Sequence, residues 1–356
     1  MKSKSKRNQL VFFLSLIGGL GLLLAAQSAT HLPTSVKGLE AGWDWALKIA
    51  EKRDVKKGFY IGYAIERKEN GRVCHGKNKG EGDKTLYEIL YGKNASKEQS
   101  HHLTKQVAIL FRFDTHPSHR LDFQKIVINN LDQPIETDID NVPILWLGLI
   151  QRDESIDLLK KCFKHTDSDK ERDTLVTAAG IHGPNPKVFG FLQKVLSGNY
   201  AAKIRKSAAF WISLQRSSEA AKVLEHTVYN DPSSSVREHA VFGLYLVQCK
   251  EANDTLVKLA KKGEDKNVRK KAIFWLGQKA AKRSAEILED MVNDDSDTDI
   301  QKAAVFALSQ LPNGVPKLIK IANTHRSLKV RKQAIFWLSQ SEDPRALDTI
   351  LDIIKK

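Results

Sequence analysis

The chain has 356 residues, enough for a repeat array and a second unit, and 41% of them are hydrophobic, which excludes a fibrous or wholly disordered chain. It carries 57 Lys+Arg against 42 Asp+Glu, a formal charge of +15. Its three cysteines, Cys74, Cys162 and Cys249, are odd in number and far apart, so they form neither a disulfide framework nor a metal-ligand motif. At the N-terminus, Lys2, Lys4, Lys6 and Arg7 precede an apolar run from Leu10 to Ala26, and Ala26-Gln27-Ser28 offers small residues where a leader peptidase would cut. We read residues 1–28 as a secretory signal, which makes the mature chain periplasmic or extracellular. The alternative is an uncleaved anchor, because 17 apolar residues sit at the lower limit for spanning a bilayer.

Residues 29–140 follow no fixed period. A helix is predicted over Trp43–Arg53, and Gly58–Glu66, Gln106–Phe113 and Phe123–Asn129 alternate in strand fashion. Gly/Asn/Lys-rich stretches such as 76–83 and 92–99 separate them. The expectation is a small mixed or β-rich domain. From 141 to 356 the pattern changes. Five segments superimpose, starting at Ile204, Val236, Val268, Ile300 and Val330 with spacings of 32, 32, 32 and 30 residues. Each has an aliphatic residue, then Ala four later, an aromatic six later and an aliphatic eight later. This spacing places Val268, Ala272 and Leu276 on one helical stripe, which Phe274 and Trp275 widen.

Polar turns such as 230–235 and 294–299 precede these segments and supply helix caps. A second amphipathic helix follows each, as at Ser218–Val228 and Ser284–Val292. Neither helix of such a pair can bury its apolar face without neighbouring pairs, so the predicted fold is a mostly α chain, an α-solenoid of stacked helix pairs. Two weaker units precede the five, Leu175–His182 with Lys187–Leu196, and Trp146-Leu147-Gly148 with Ile156–Phe163. The array is therefore expected to run from about 142 as six or seven pairs. Asp348, Asp352, Lys355 and Lys356 give its last helix a polar outer face suited to a terminal cap.

The repeated V-R-K-x-A-x-F-W-L-x-Q core resembles the HEAT-like repeats of the phycobilin-lyase class. Ala304–Pro312, Gly314–Ala322 and Val330–Leu347 resemble strings in a group of bacterial exported HEAT-repeat proteins, whose region before the repeats is also divergent and β-rich. The resemblance implies a HEAT solenoid and an interaction surface, and it implies no particular chemistry.

Candidate site residues follow from the repeat register. Arg205, Arg237, Arg269 and Arg331 occupy one position, with Gln301 breaking the series; Trp211, Trp275 and Trp337 occupy another. The arginines are expected to form a structural ladder to turn aspartates such as Asp231, Asp265 and Asp299, with Arg237 on Asp231 and Arg269 on Asp265, and with direct ligand contact as the alternative. The tryptophans are expected to pack between helices rather than form a binding row. His101, His102, His116 and His119 read as solvated loop residues: Pro117 breaks the H-x-x-H of His116 and His119. Cys74-His75 lacks the earlier cysteine of a haem-attachment motif. Asp295, Asp297 and Asp299 have calcium-loop spacing, but Ile300 and Phe306 stand where its Gly and Glu belong. Cys249 reads as a small buried hydrophobe at a helix end.

No catalytic constellation stands out, so the expected function is an exported scaffold that binds protein, without catalysis, cofactor or metal. Residues 29–199 carry 26 Lys+Arg against 23 Asp+Glu and residues 200–356 carry 27 against 19, so an acidic partner would be felt in the second half. Membrane contact is expected only through an uncleaved N-terminal segment. The alternatives are a bilin-lyase-like enzyme, a hydrolase within 29–140, and a nucleic-acid-binding solenoid, which the export signal counts against.

Overall fold

A computed structural model describes residues 29–355 other than 54, 56, 68–83, 93–95, 97–101, 116, 136–141, 280 and 281. The signal segment, Cys74, His101 and His116 lie outside the described residues. Among the described residues, no helix is long and apolar enough to cross a membrane.

The N-terminal part is a five-stranded sheet. Its strands are β1 (Thr30–His31), β2 (Phe59–Glu66), β3 (Gln106–Phe113), β4 (Phe123–Asn130) and β5 (Ile144–Leu149), in the order β1-β5-β2-β3-β4. β2, β3 and β4 pair antiparallel, whereas β5 runs parallel to both β1 and β2. Strand alternation sorts β2 into two faces. Phe59, Ile61, Tyr63 and Ile65 meet Trp43 and Ala46 of α1 (Leu39–Lys52), while Tyr60 and Ala64 meet Leu86 and Leu90 of α2 (Leu86–Tyr91). Both faces are covered, which is why FYIGYAIE is nearly continuous in apolar residues.

β5 corrects one expectation. Trp146-Leu147-Gly148 is a strand rather than an echo of the Trp275-Leu276-Gly277 helix, so the sheet's last strand lies beyond the boundary drawn at 140/141. A short apolar run fits either period. Here Gly148, at φ +82°, lies where the register against β2 shifts, the strand runs on to Leu149, and the helix begins only at Arg152.

That helix, α3 (Arg152–His165), packs on β2 and leads into six helix pairs. The first helices are α4 (Asp169–Gly180), α6 (Ala202–Ser213), α8 (Ser234–Val247), α10 (Lys266–Gly277), α12 (Thr298–Ser309) and α14 (Leu328–Ser339). The second helices are α5 (Pro186–Leu196), α7 (Ser218–Asn230), α9 (Lys250–Lys262), α11 (Lys282–Asp294), α13 (Val315–Thr324) and α15 (Pro344–Ile354). Side-chain caps start many of them: Ser217 accepts from Ala220 N–H, Asp265 from Asn267 and Val268, and Asp343 from Arg345. Cys249 also caps, its Sγ accepting from Ala252 N–H at 3.4 Å, so it is a half-buried helix start and not a core residue.

Successive first helices pack against one another from α4 through α14, whereas second helices meet one another sparingly. In a two-layer stack the tighter layer is the inner side of the curve, so the first helices form the inner layer. Small residues permit the approach: a Cβ on Gly277 would sit 2.8 Å from the Ala307 carbonyl oxygen of the next first helix. One apolar core runs from Trp43 through the sheet face to Ala346. The buried stripe of α10 is Val268, Ala272, Ile273 and Leu276; Phe274 and Trp275 are only half-buried. The expected cap also differs. Leu347, Leu351 and Ile354 of α15 are exposed, so the last helix presents an apolar stripe beside its aspartates.

The sheet joins the solenoid through polar contacts as well. Glu171 of α4 is buried, and its Oε2 accepts the Ile126 N–H of edge strand β4 at 2.8 Å. That contact satisfies an amide on an otherwise open edge.

Candidate functional site on the inner layer of the solenoid

The repeated arginines turn into the joints between pairs. Arg205 makes a two-pronged contact with Asp231, Nε–Oδ2 and Nη2–Oδ1 both 2.9 Å, and both side chains are almost fully buried. Arg237 reaches Asp265 at 2.8 Å and donates to the Asp231 carbonyl at 3.0 Å. Arg269 pairs with Asp295 and donates to the Ala260 carbonyl at 3.1 Å. With Arg205 also donating to the Tyr200 carbonyl, each of these three binds a carbonyl in the turn or last helical turn before its own helix and the aspartate of the following turn. The register differs from the expected one: Asp231 serves Arg205, Asp265 serves Arg237, and Asp295 takes the place expected of Asp299. Gln301 keeps the carbonyl contact alone, donating to Asp295 O at 2.9 Å. Arg331 donates to the His325 carbonyl at 2.8 Å and has no acidic partner among the described residues.

The remaining calcium-spaced aspartates have structural work. Asp297 caps α12 by accepting from Asp299 N–H, and Lys266 bridges Asp297 and Asp299 at 3.0 and 2.8 Å. Lys266 is the largest influence holding both carboxyls below their ordinary range.

The tryptophans lie across the seams between first helices. Trp211 covers Gly180 of α4, where a Cβ would fall 2.0 Å from its ring. Trp275 stacks on Phe242 and Tyr245 of α8, both at 4.7 Å, and Trp337 lies 4.8 Å from Phe306 of α12. Repeat position six carries Phe210, Phe242, Phe274, Phe306 and Phe336, one per first helix. The first four are half-buried, and Phe336 is 52% exposed. Ring contacts link Phe242, Trp275, Phe274, Phe306, Trp337 and Phe336 into one ribbon across four helices. The sequence marked this position as aromatic but placed it in the core.

Charge separates the two layers. Helices α6, α8, α10, α12 and α14 contain 12 Lys/Arg and 2 Asp/Glu, whereas α7, α9, α11, α13 and α15 contain 10 of each. The two acids of the inner set are both neutralised, Glu238 by Lys271 at 3.6 Å and Asp299 by Lys266. Lys206, Lys270, Lys302, Lys329 and Lys332 make no ion pair among the described residues. A cavity of about 380 Å³ opens on this layer, lined by Lys203, Lys206, Phe210, Trp211 and His239 among others. Burial, with Lys206 adding to it, holds the His239 imidazole below its ordinary pKa.

The family model for HEAT repeats matches residues 221–309, from within α7 to the end of α12. That stretch matches HEAT repeats, and the helix pairs before and after it continue the same helical solenoid. Human deoxyhypusine hydroxylase is 15% identical over 55% of this chain and 84% of its own, with a TM-score of 0.24. The CpcE–CpcF complex of phycocyanin lyase from Nostoc is 18% identical over 56% and 80%, with a TM-score of 0.32. Lipovitellin is 15% identical over 70% and 34%, with a TM-score of 0.39. At these scores the overlaps carry no argument about activity. No curated protein matches the chain.

One buried constellation at the junction of the sheet and the helices resembles a catalytic dyad. His182 Nε2 meets Ser155 Oγ at 2.9 Å, Ser155 meets the Tyr63 hydroxyl at 2.9 Å, and His182 Nδ1 lies 2.8 Å from the Ala178 carbonyl. A ring nitrogen facing a carbonyl must carry the proton, so Nε2 accepts from Ser155. Ser155 is 0% and His182 2% exposed, so no substrate reaches them. Burial pushes His182 down to about 4 and raises Tyr63. The trio ties β2, α3 and α4 together through satisfied polar atoms. Of the loop histidines, His102 precedes β3 and His119 lies between β3 and β4, beside His165.

Proposed function

We propose that the protein is an exported, non-enzymatic scaffold whose inner HEAT layer holds an extended acidic protein segment. The observation that carries this reading is the charge difference between the layers of the last five pairs: 12 Lys/Arg against 2 Asp/Glu on the inner helices and 10 of each on the outer, with Lys206, Lys270, Lys302, Lys329 and Lys332 outside any ion pair among the described residues and an aromatic ribbon along the positive side. Half-buried rings give apolar anchorage, and unpaired lysines add long-range attraction and set the partner's sign. Export is inferred from the charged and apolar leader at residues 1–28. Because single-stranded nucleic acid also stacks on rings flanked by lysines, the test includes it.

The test compares charge reversals in the two layers of the purified protein. Lys270→Glu, Lys302→Glu and Lys332→Glu together should abolish capture of an acidic partner from an envelope extract, and binding to the parent should weaken as salt rises. Lys222→Glu, Lys250→Glu and Lys262→Glu on the outer layer should leave capture intact. Equal loss from both triple variants, or displacement of the partner by an unrelated single-stranded oligonucleotide, would overturn the reading. A reporter fused after residue 40 that stays in the cytoplasm would remove export.

A further inference from the structure

We propose that His119, Asp122 and His165 form a binding site for a zinc-type divalent cation at the junction of the sheet and the HEAT array. The three residues come from separate elements, His119 and Asp122 from the connection between β3 and β4, and His165 from the last turn of α3. One ligand atom from each lies within 4.8 Å of the others. His165 Nε2 is 2.6 Å from Asp122 Oδ1, and the two imidazoles stack at 4.4 Å between centroids.

Two features make this a built arrangement. The Asp122 N–H donates to the His119 carbonyl at 3.0 Å, a turn that holds both residues at one place in the loop. The Ser118 hydroxyl donates to Asp122 Oδ2, leaving Oδ1 directed at His165. A supporting hydrogen bond on a ligating carboxylate is what orients it in metal sites. Two imidazole nitrogens and one carboxylate oxygen suit zinc over magnesium or calcium, and leave a fourth position for water or a ligand.

The adjustment needed is local. Zinc bonds of about 2.0–2.1 Å place tetrahedral donors roughly 3.3 Å apart, between the separations present. His119 and His165 are exposed, so solvent rather than packed core borders the rings that must shift. The Leu121 N–H reaches His119 Nδ1 at 3.2 Å. Metal at Nε2 would move the ring proton to Nδ1 and release that amide, a change confined to one turn. The bound ion would tie the loop to α3, adding a clamp beside the Glu171 contact.

Tag-free protein stripped with a chelator and titrated with Co²⁺ should develop visible ligand-field absorption that saturates at one equivalent and is displaced by Zn²⁺. His165→Ala should weaken Co²⁺ binding about a hundredfold, and Asp122→Asn, which keeps the side-chain shape, should do the same. Ser118→Ala retains all three ligands and should weaken binding about tenfold. Zn²⁺ should raise the melting temperature of the parent and not of His165→Ala. Absence of the absorption, or affinity unchanged in both His165→Ala and Asp122→Asn, would overturn the proposal.

Discussion

The sheet and the solenoid share one continuous core but are built on different principles. The joints of the array repeat a small set of contacts: an alanine or glycine at the closest approach, an arginine into the turn (Gln301 in α12), an aromatic across the seam. The sheet is made once, from strands distant in sequence. β5 sits between β1 and β2, which end 78 or more residues before it begins, and the junction relies on unique polar contacts at Glu171 and His182. The contrast teaches where stability is concentrated. Damage in the sheet should propagate through a single core, while damage in the array should stay near one joint.

The largest expected effect tests that contrast directly. Phe111 is fully buried, with Trp43, Tyr63 and Phe123 rings around it at 5.0 to 6.3 Å. Phe111→Ala should cost about 4 kcal/mol in denaturant unfolding, as large buried aromatic truncations do. Phe274→Ala removes a half-buried ring and should cost only about 1–2 kcal/mol. Equal losses at the two positions would erase the distinction between unique core and repeated ribbon.

Next in size is the arginine ladder. Arg205→Ala would leave Asp231 buried without its partner, and breaking such a pair costs about 3 kcal/mol. Arg331, half-buried and bonded to one carbonyl, should lose less than about 1 kcal/mol when changed to Ala. A double-mutant cycle should find strong coupling between Arg205 and Asp231 and little between Arg237 and Asp231. The reverse result would restore the register first expected from the sequence.

How far the sequence could be read follows the same division. Periodicity exposed the solenoid because each unit repeats its aliphatic, alanine and aromatic positions, and because Asp, Ser and Asn stand before the helices. It misassigned Trp146–Gly148, since three apolar residues are too few to separate a strand from a helix. It put Phe274 in the core because a helical stripe gives an angle, and the width of the buried face depends on neighbours that a single helix does not reveal. The ladder's partners were offset by one joint for a similar reason: spacing shows that arginines and aspartates recur, not which turn a long side chain reaches. His119 and His165 are 46 residues apart, so no local motif joins them; only the packing of α3 beside the loop does.

A smaller effect concerns pH at the junction. His182 is neutral when folded and its pKa is held down to about 4, against about 6.5 when unfolded. The unfolded chain therefore takes up the proton first. This contribution is fully present above about pH 6.5 and is lost as pH falls toward 4. Between pH 7 and pH 5 the stability should drop by about 2 kcal/mol from this group. His182→Gln should lower stability at pH 7 and flatten that slope; a slope unchanged from the parent would mean the imidazole titrates freely.

The smallest stability effect belongs to the residues that matter most for the proposed function. Lys270, Lys302 and Lys332 make no ion pair among the described residues, and their helices are held by the stripe beneath them. Changing each to Ala should shift stability by less than about 0.5 kcal/mol, as surface substitutions do. Binding should respond differently, because each removed charge weakens attraction to an acidic segment and reduces its dependence on salt. Phe336, at the open end of the ribbon, should behave likewise, with its Ala variant folding normally but holding the partner less well. Arg205→Ala should show the opposite pattern, a lower melting temperature with partner affinity retained in the folded fraction. If the lysine variants instead lose stability in step with affinity, their charges belong to the joints, and the inner layer loses its claim as the binding face.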